Sequence, residues 1–180
     1  NDTTWVGSNK GLYWLIWSKD RKQVREVNPF NNSKILTSSI TEIKLDNEKN
    51  IYILSEKGLA IWKNGKIFFE GQTFKGQELL GATCIEFDKQ NRIWLGTKRG
   101  LLFFDKHKTF LFNNKNGLNS SEINALKYDE INNQIWVGTN DGLSKINISD
   151  LENYRFDSPK LKILGVSTLL GSFFSGANEL

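Results

Sequence analysis

The 180-residue chain contains one cysteine, one histidine and no methionine. A single cysteine excludes an intrachain disulfide, and one cysteine with one histidine cannot build a typical zinc site, which needs several such ligands. The histidine, His107, stands between Lys106 and Lys108, so we expect a solvated turn residue rather than a base or a ligand. We expect Cys84 to be a small buried apolar residue. We therefore predict no metal, no cofactor and no catalytic residue.

Long apolar runs are also missing. No stretch approaches the roughly 18 consecutive apolar residues of a membrane-spanning helix, so any membrane attachment is expected to come from a helix outside this segment. The N-terminus shows no basic stretch followed by an apolar one, the pattern of a signal peptide. The net charge is only +4 and the lysines are scattered, whereas a nucleic-acid binder clusters them on one face. We predict no nucleic-acid partner.

What the chain does contain is one eight-residue motif that occurs four times. Its aromatic anchors are spaced by 47, 42 and 42 residues, and a fixed period in this range indicates a repeat architecture. The copies are WVGSNKGL from Trp5, YILSEKGL from Tyr52, WLGTKRGL from Trp94 and WVGTNDGL from Trp136.

Each repeat predicts four short antiparallel strands. The first strand alternates apolar and polar residues and ends at an aspartate and a polar turn. The second strand is more apolar and contains the aromatic residue, and a glycine precedes the third strand. These glycines, at 11, 58, 100 and 142, are expected to need positive φ. A less regular fourth strand is predicted near Lys66–Glu70, Thr109–Asn113 and Asn153–Phe156. The fold class is therefore all-β, made of four-stranded β-propeller blades of about 42 residues.

The predicted domain boundaries follow from these repeats. A first blade that lacks its innermost strand covers 1–30, and further blades cover about 40–70, 82–113 and 123–157. An open array leaves blade faces without partners. We expect such a segment to fold poorly or to associate, unless four blades close on themselves.

Recurring polar and aromatic residues fit structural roles. Asp46, Asp88 and Asp129 are expected to cap turns, since their copies lack the dense acidic spacing of a calcium loop. The four aromatic anchors are expected to pack between blades. Trp14, Trp17 and Trp62 lie outside the repeat pattern, and packing on the third strand is favoured for them over stacking on sugar rings.

The motif Asp-x-x-x-Asn/Arg-Ile-Trp-Leu/Val-Gly-Thr-x-x-Gly-Leu resembles the two-component regulator propeller repeat. Residues Asn116 to Leu126 look like that family's linker into a new blade, and Ser158 to Val166 resembles the opening of its three-tyrosine, Ig-like domain, here 158–180. The resemblance implies a fragment of a larger propeller in the periplasmic sensor region of a hybrid two-component histidine kinase. It also implies glycan-derived oligosaccharide ligands and a homodimer formed through the full-length protein.

Candidate ligand-binding residues lie on the turns that join the second and third strands, because propellers gather variable loops at one rim. They are Lys57, Arg99 and Asp141, with Arg99 suited to an acidic or hydroxyl-rich ligand. The leading hypothesis is a non-enzymatic sensor segment of a histidine kinase ectodomain. Two alternatives stay open: a propeller scaffold for protein–protein interaction, and a propeller lyase or lactonase.

Overall fold

The structure is a computed structural model that describes residues 3–79, 81–106 and 108–151, with the backbone of 152–153, 166–167 and 173–174. The chain divides into two compact units, Asn1–Ser149 and Asp150–Leu180. The predicted Ig-like segment, 158–180, lies almost wholly outside the described residues. Within the second unit the structure describes one two-stranded pairing, Val166–Ser167 with Phe173–Phe174.

The first unit is built from successive antiparallel sheets. In chain order the strands are β1 Thr3–Ser8, β2 Gly11–Trp17, β3 Val24–Val27, β4 Ile40–Leu45, β5 Ile51–Ser55, β6 Gly58–Lys63, β7 Lys66–Gly71, β8 Thr73–Phe74, β9 Gln77–Glu78, β10 Ala82–Phe87, β11 Ile93–Thr97, β12 Gly100–Phe104, β13 Thr109–Phe112, β14 Ile123–Asp129, β15 Gln134–Thr139 and β16 Gly142–Asn147. A 3₁₀ turn covers Asn114–Asn116, and helix α1 covers Ile148–Asn153.

These strands form four sheets, each in simple meander order, as the repeats predict. The second and third sheets have four strands, β4-β5-β6-β7 and β10-β11-β12-β13. The first sheet has three described strands, β1-β2-β3, and β1 carries the aromatic anchor. The small hairpin β8-β9 lies in the linker between the second and third sheets. The all-β blade architecture is confirmed.

The fourth sheet departs from the prediction. It has three described strands, β14-β15-β16, and the chain then enters α1. The fourth strand predicted near Asn153–Phe156 is wrong at its first residue, because Asn153 ends the helix. Residues 154–156 lie outside the described part. Asn147 precedes this helix, and its side-chain oxygen accepts the backbone N–H of Ser149, so a local Asx cap stands where the chain leaves the sheet.

Glycine fixes the hairpins. Asn64 and Gly65 have φ of 51° and 78°, the two positive angles of a type I′ turn, which joins β6 to β7 in two residues. The repeated glycine before each third strand has φ between 120° and 145°. A Cβ on Gly100 would lie 2.4 Å from the carbonyl oxygen of Phe112, which belongs to the outer strand β13. Both constraints require glycine.

The core lies between sheets rather than within one. One buried cluster joins Leu12 of the first sheet, and Leu36 of the segment that follows it, to Ile53 and Ala60 of the second sheet. A second cluster joins Leu54 and Leu59 of the second sheet to residues of β10, β11 and β12. Burial of apolar area at about 25 cal/mol per Å² makes such interfaces the main source of stability. Each sheet is therefore held by its neighbours in the chain.

Aromatic residues fill the first interface. Trp5, Trp14, Phe30 and Trp62 form a four-ring cluster in which every pair of ring centroids lies between 5.3 and 6.0 Å. Trp14 and Trp62 contact each other and the other two rings, so the packing role predicted for them is confirmed. Trp17 instead donates its indole N–H to Thr4 Oγ1 at 3.2 Å, near the surface.

Within the described residues, no helix has the length and apolar character needed to cross a membrane.

Candidate functional site

One rim of the sheets carries the turns between second and third strands. Each turn is held by the same pair of contacts. The hydroxyl of Ser8, Ser55, Thr97 or Thr139 donates to the carbonyl of the following repeated glycine, at 2.8 to 3.3 Å. In three turns the hydroxyl also accepts the backbone N–H of the second tip residue. The rigid frame leaves two tip side chains free to vary in each blade.

The structure places all three predicted site residues at these tips, one on each of three consecutive sheets. Lys57 and Asp141 are exposed, and within the described ranges their side chains make no hydrogen bond or ion pair. Arg99 is different, because its Nη1 lies 2.9 Å from Glu78 Oε2 of the hairpin β8-β9. The guanidinium is therefore held by a carboxylate of its own chain. Both partners are largely exposed, so the pair contributes little stability.

The linker into the fourth sheet adds a polar group to the same rim. Asn124 donates from its side-chain amide to Asn140 Oδ1 at 2.6 Å, and the amide of Asn140 donates to the carboxylate of Glu122. The backbone N–H of Asn140 also donates to the Glu122 carbonyl at 3.3 Å. Sequence reasoning missed Glu122 and Asn124, because it placed a site on the turns and the blade linkers but drew its candidate residues from the turns alone. All three side chains are exposed and offer amide and carboxylate groups to a ligand.

A bulge recurs where each innermost strand starts at this rim. Pairing slips by one residue between Ile40 and Glu42, between Ala82 and Cys84, and between Ile123 and Ala125. The extra residues are Thr41, Thr83 and Asn124, at one repeat position. Thr83 Oγ1 donates across to the carbonyl of Ile123 at 2.6 Å, which joins the third and fourth sheets. Bulges re-aim side chains next to functional sites.

A row of charged residues lies on the innermost strands of the second, third and fourth sheets. Lys44, Glu86 and Lys127 occupy one repeat position on β4, β10 and β14, so the charge alternates in sign. Glu86, only 5% exposed, lies 3.0 Å from Lys44 Nζ and 3.9 Å from Lys127 Nζ. Aligning the three inner strands on their final aspartates would have revealed this row from sequence.

Carboxylates also cover backbone donors of the neighbouring inner strand. Glu42 Oε2 accepts the N–H of Ile85 at 2.6 Å, and Glu86 Oε2 accepts that of Tyr128 at 3.4 Å. Burial raises the pKa of the Glu42 carboxyl, an effect that the Ile85 amide and Lys44 only partly offset. The acids of one sheet thus satisfy the otherwise unpaired strand edge of the next.

The opposite rim holds the aspartates that recur at the end of each innermost strand, and their role is structural. Asp88, 1% exposed, accepts the backbone N–H of Arg92 at 3.0 Å, Arg92 Nε at 2.6 Å and the indole N–H of Trp94 at 3.0 Å. Asp46 and Asp129 accept equivalent turn donors. The turn-capping prediction is confirmed. His107 lies outside the described residues, and among those described no group of three His, Cys, Asp or Glu side chains could hold a metal ion.

Tyr52 stands where the other copies have tryptophan. Its ring contacts Phe87 of the third sheet with centroids 4.8 Å apart, so the aromatic anchor packs between blades as predicted. Burial, with the nearby charges of Asp46 and Glu48, raises the pKa of Tyr52 to about 12. Trp94 is fully buried, and Trp136 is half-buried beneath Lys145 Nζ at 5.8 Å.

Comparison with known proteins shows the fold alone. No protein-family model and no curated protein matches the chain. The extracellular domain of the hybrid two-component system protein BT3049 from B. thetaiotaomicron matches at 21% identity and a TM-score of 0.55, over 80% of this chain and 18% of that one. PorZ from Porphyromonas gingivalis, a surface component of the type-IX secretion system, matches at 17% identity and a TM-score of 0.58, over 86% of this chain and 26% of that one.

A virginiamycin B lyase from Staphylococcus aureus matches at 14% identity and a TM-score of 0.44, over 84% of this chain and 50% of that one. The chain spans only 18% and 26% of the first two proteins, so it corresponds in extent to part of each.

Proposed function

We propose that this chain is a ligand-sensing propeller segment of the periplasmic region of a two-component histidine kinase, and that it recognises glycan-derived oligosaccharides. In this proposal the segment binds and does not catalyse. The observation that carries it is the rim, where a constant Ser/Thr–Gly frame presents a different pair of side chains in each blade. The fold shared with an extracellular two-component domain supports the same assignment.

The chemistry of the rim suits a hydroxyl-rich ligand. Sugar hydroxyls both donate and accept, and the rim offers donors in Lys57 and Arg99 and acceptors in Asp141 and Glu122. The amide of Asn140 supplies both functions. Glu78 lies 2.9 Å from Arg99 Nη1 and holds the guanidinium in one place, which lowers the ordering cost of this side chain when a ligand arrives.

Signalling would require the ligand to favour one arrangement of the ectodomain over another, since only differential affinity shifts an equilibrium. The dimer interface, the transmembrane helix and the kinase would belong to segments outside this chain. The part proposed for this segment is recognition.

The test is a thermal-unfolding screen of the chain against a panel of oligosaccharides. A ligand at about 100 times its dissociation constant adds roughly 2.7 kcal/mol of stability. We expect a shift for one glycan class, reduced in Arg99→Ala and in Lys57→Ala but retained in Lys66→Ala, which removes a lysine from the opposite rim. A folded chain that responds to no glycan, or a shift that neither rim variant reduces, would contradict the proposal.

A second candidate is a protein-interaction scaffold. The observation in its favour is the outer strand β7, where Phe68 is 68% and Ile67 37% exposed. An edge strand with exposed apolar residues can take an extended peptide as an added strand. Selection of binders from a peptide library, with binding lost in Phe68→Ser and kept in Arg99→Ala, would favour this candidate over glycan sensing.

A further inference from the structure

The sequence contains two Asn-Gly pairs, Asn64-Gly65 and Asn116-Gly117. In such a pair the backbone nitrogen of the glycine can attack the side-chain carbonyl carbon of the asparagine, because the attack closes a five-membered ring and glycine has no side chain to crowd the nitrogen. Asparagine is a thermolabile residue in proteins. Whether a folded chain permits the attack depends on what holds the two reacting groups.

The side chain of Asn116 is held at both of its polar atoms. Its Oδ1 accepts the backbone N–H of Asn113 at 2.5 Å, and its Nδ2 donates to the carbonyl of Leu111 at 3.1 Å. The first of these bonds belongs to the capping box of the 3₁₀ turn Asn114–Asn116. Although Asn116 is exposed, its amide cannot turn toward the nitrogen of Gly117 until both bonds break.

The Asn64-Gly65 pair has no such restraint. Both residues are exposed at the tip of the hairpin that joins β6 to β7, and pairing of the two strands begins with Lys63 and Lys66 on either side. Within the described residues, neither the side chain of Asn64 nor the N–H of Gly65 makes a hydrogen bond. A Cβ on Gly65 would meet nothing within 4 Å, so the space around this glycine is open.

We propose that Asn64 is a site of spontaneous deamidation, which converts it to aspartate and isoaspartate while the chain is folded, and that the capping box protects Asn116. The difference between the two pairs lies in the hydrogen bonds of the asparagine side chain, since both pairs are exposed and both glycines have open space around them.

The reaction uses water as its only co-reactant and involves no oxidation or reduction. Gly65 loses its amide proton to solvent base, and its nitrogen attacks Cγ of Asn64, so that an N–Cγ bond forms. The Cγ–Nδ2 bond then breaks, and the side-chain nitrogen leaves as ammonia with a proton from water. Hydrolysis of the resulting cyclic imide at Cγ gives aspartate. Hydrolysis at the backbone carbonyl of residue 64 gives isoaspartate.

The isoaspartate product changes the hairpin itself. Its main chain runs through Cβ and Cγ, which adds one carbon atom to a turn of two residues whose φ angles are 51° and 78°. A type I′ turn matches the twist of its flanking strands, and the longer turn no longer fits the pairing of Lys63 with Lys66. Because β7 is the outer strand of its sheet, the damage begins at an edge while β4, β5 and β6 remain paired.

The rates at the two sites test the proposal directly. The folded chain is incubated at mildly alkaline pH, and samples are cut by a glutamate-specific protease, which yields peptides 57–70 and 87–122. Tandem mass spectrometry then measures the conversion of amide to carboxyl at each asparagine. Misplacing reacting groups by about 1 Å can cost on the order of 10²-fold in rate, so we expect Asn64 to react more than about tenfold faster than Asn116. In guanidinium chloride the two rates should be similar.

Matched variants assign the consequence to the site. Glutamine would have to close a six-membered ring, so Asn64→Gln removes the reactive pair, and Asn116→Gln removes the protected one. The incubated native chain and the incubated Asn116→Gln variant should both lose thermal stability, whereas Asn64→Gln should keep the midpoint it had before incubation. A folded chain in which Asn116 reacts as fast as Asn64 would overturn the inference. So would a folded chain that keeps Asn64 intact over the time in which the unfolded chain converts it.

Discussion

Ile123 of β14 occupies the space that a side chain on Gly96 of β11 would need, with a Cβ on Gly96 falling 2.7 Å from Ile123 Cγ2. Gly7 and Ile40 stand in the same relation between the first two sheets. Between the second and third sheets the sizes are exchanged. Leu54 stands at the glycine position and Ala82 at the isoleucine position, and both are buried in one cluster. Each interface thus combines one small and one large residue.

This pairing predicts strong coupling between Leu54 and Ala82. Leu54→Gly should cost about 2–5 kcal/mol by opening a cavity, and Ala82→Ile about 1–3 kcal/mol by overpacking. The double variant recreates the pair found at Gly96 and Ile123. It should therefore be more stable than the sum of the single costs predicts, with a coupling of about 0.5–3 kcal/mol.

Urea unfolding of the two single variants and the double variant measures this coupling. Leu54→Gly combined with Ile131→Ala is the control, because Ile131 is exposed in a turn and should add independently. Strict additivity of Leu54→Gly and Ala82→Ile would show that the two positions do not share one space.

A second prediction separates two reasons for glycine. Gly100 has φ of +145° and a Cβ there would lie 2.4 Å from a backbone carbonyl, whereas Gly65 has φ of +78° with nothing within 4 Å. Gly65→Ala should cost about 1–2 kcal/mol for the left-handed backbone alone. Gly100→Ala should cost clearly more, because the outer strand must also move. Equal midpoints in thermal unfolding would contradict this reading.

The sequence predicted the repeat, the strands and the hairpins because these depend on local residue choice. The turn residues Gly100 and Asn64–Gly65 and the capping aspartate Asp88 can be identified from their positions in the repeat. The exchange of the small and the large residue between positions 54 and 82 could not be predicted from the sequence. The motif copy at Tyr52 gives no reason for Leu54 in place of glycine, and its partner Ala82 lies 28 residues further along the chain. The Arg99–Glu78 pair was missed for the same reason: a linker hairpin outside the repeat places Glu78.

A third prediction concerns the cap at Asp88. Its carboxylate lies 2.6 Å from Nε of Arg92, and both residues are buried. Asp88→Ala removes the acceptor of several buried donors and takes the counter-charge away from a buried guanidinium, so the expected cost is about 3–5 kcal/mol. Asp141→Ala also removes one negative charge, but from an exposed turn, and should change stability by less than about 0.5 kcal/mol. Similar unfolding midpoints for the two variants would refute the capping role.

The fourth prediction is a pH dependence at Asp129. Hydrogen bonds from the side chains of Asn132 and Gln134, at 2.8 and 2.9 Å, lower the pKa of Asp129 from 3.8 to about 2. Because the folded pKa lies below the unfolded one, the ionised group stabilises the fold above about pH 4, and this contribution is lost as the pH falls toward 2. The Asp129→Asn variant has no carboxyl group at this position, so it lacks this pH-dependent contribution. The free energies of unfolding of the two proteins, measured in urea, should therefore converge over that interval, and a constant difference would contradict the prediction.

The last prediction concerns the single thiol. Cys84 is 8% exposed, and burial raises the pKa of its thiol to about 11. At pH 8 only about one molecule in a thousand then carries the reactive thiolate, against about one in four for an exposed cysteine. Its sulfur also lies 2.5 Å from the position that a Cβ on Gly96 would take, so it fills space beside the small residue of the interface. We expect an aromatic disulfide reagent to modify Cys84 only when urea unfolds the chain.

The matched control is the double variant Cys84→Ala and Lys57→Cys, which carries its one thiol on an exposed rim turn. Its reaction should be fast and independent of urea. If native Cys84 reacted at a comparable rate, the interface between the third and fourth sheets would have to open readily in solution, because Thr83, Gly96 and Ile123 enclose the sulfur. Slow native modification would instead mean that this interface stays closed, as expected for blades whose stability comes from their neighbours.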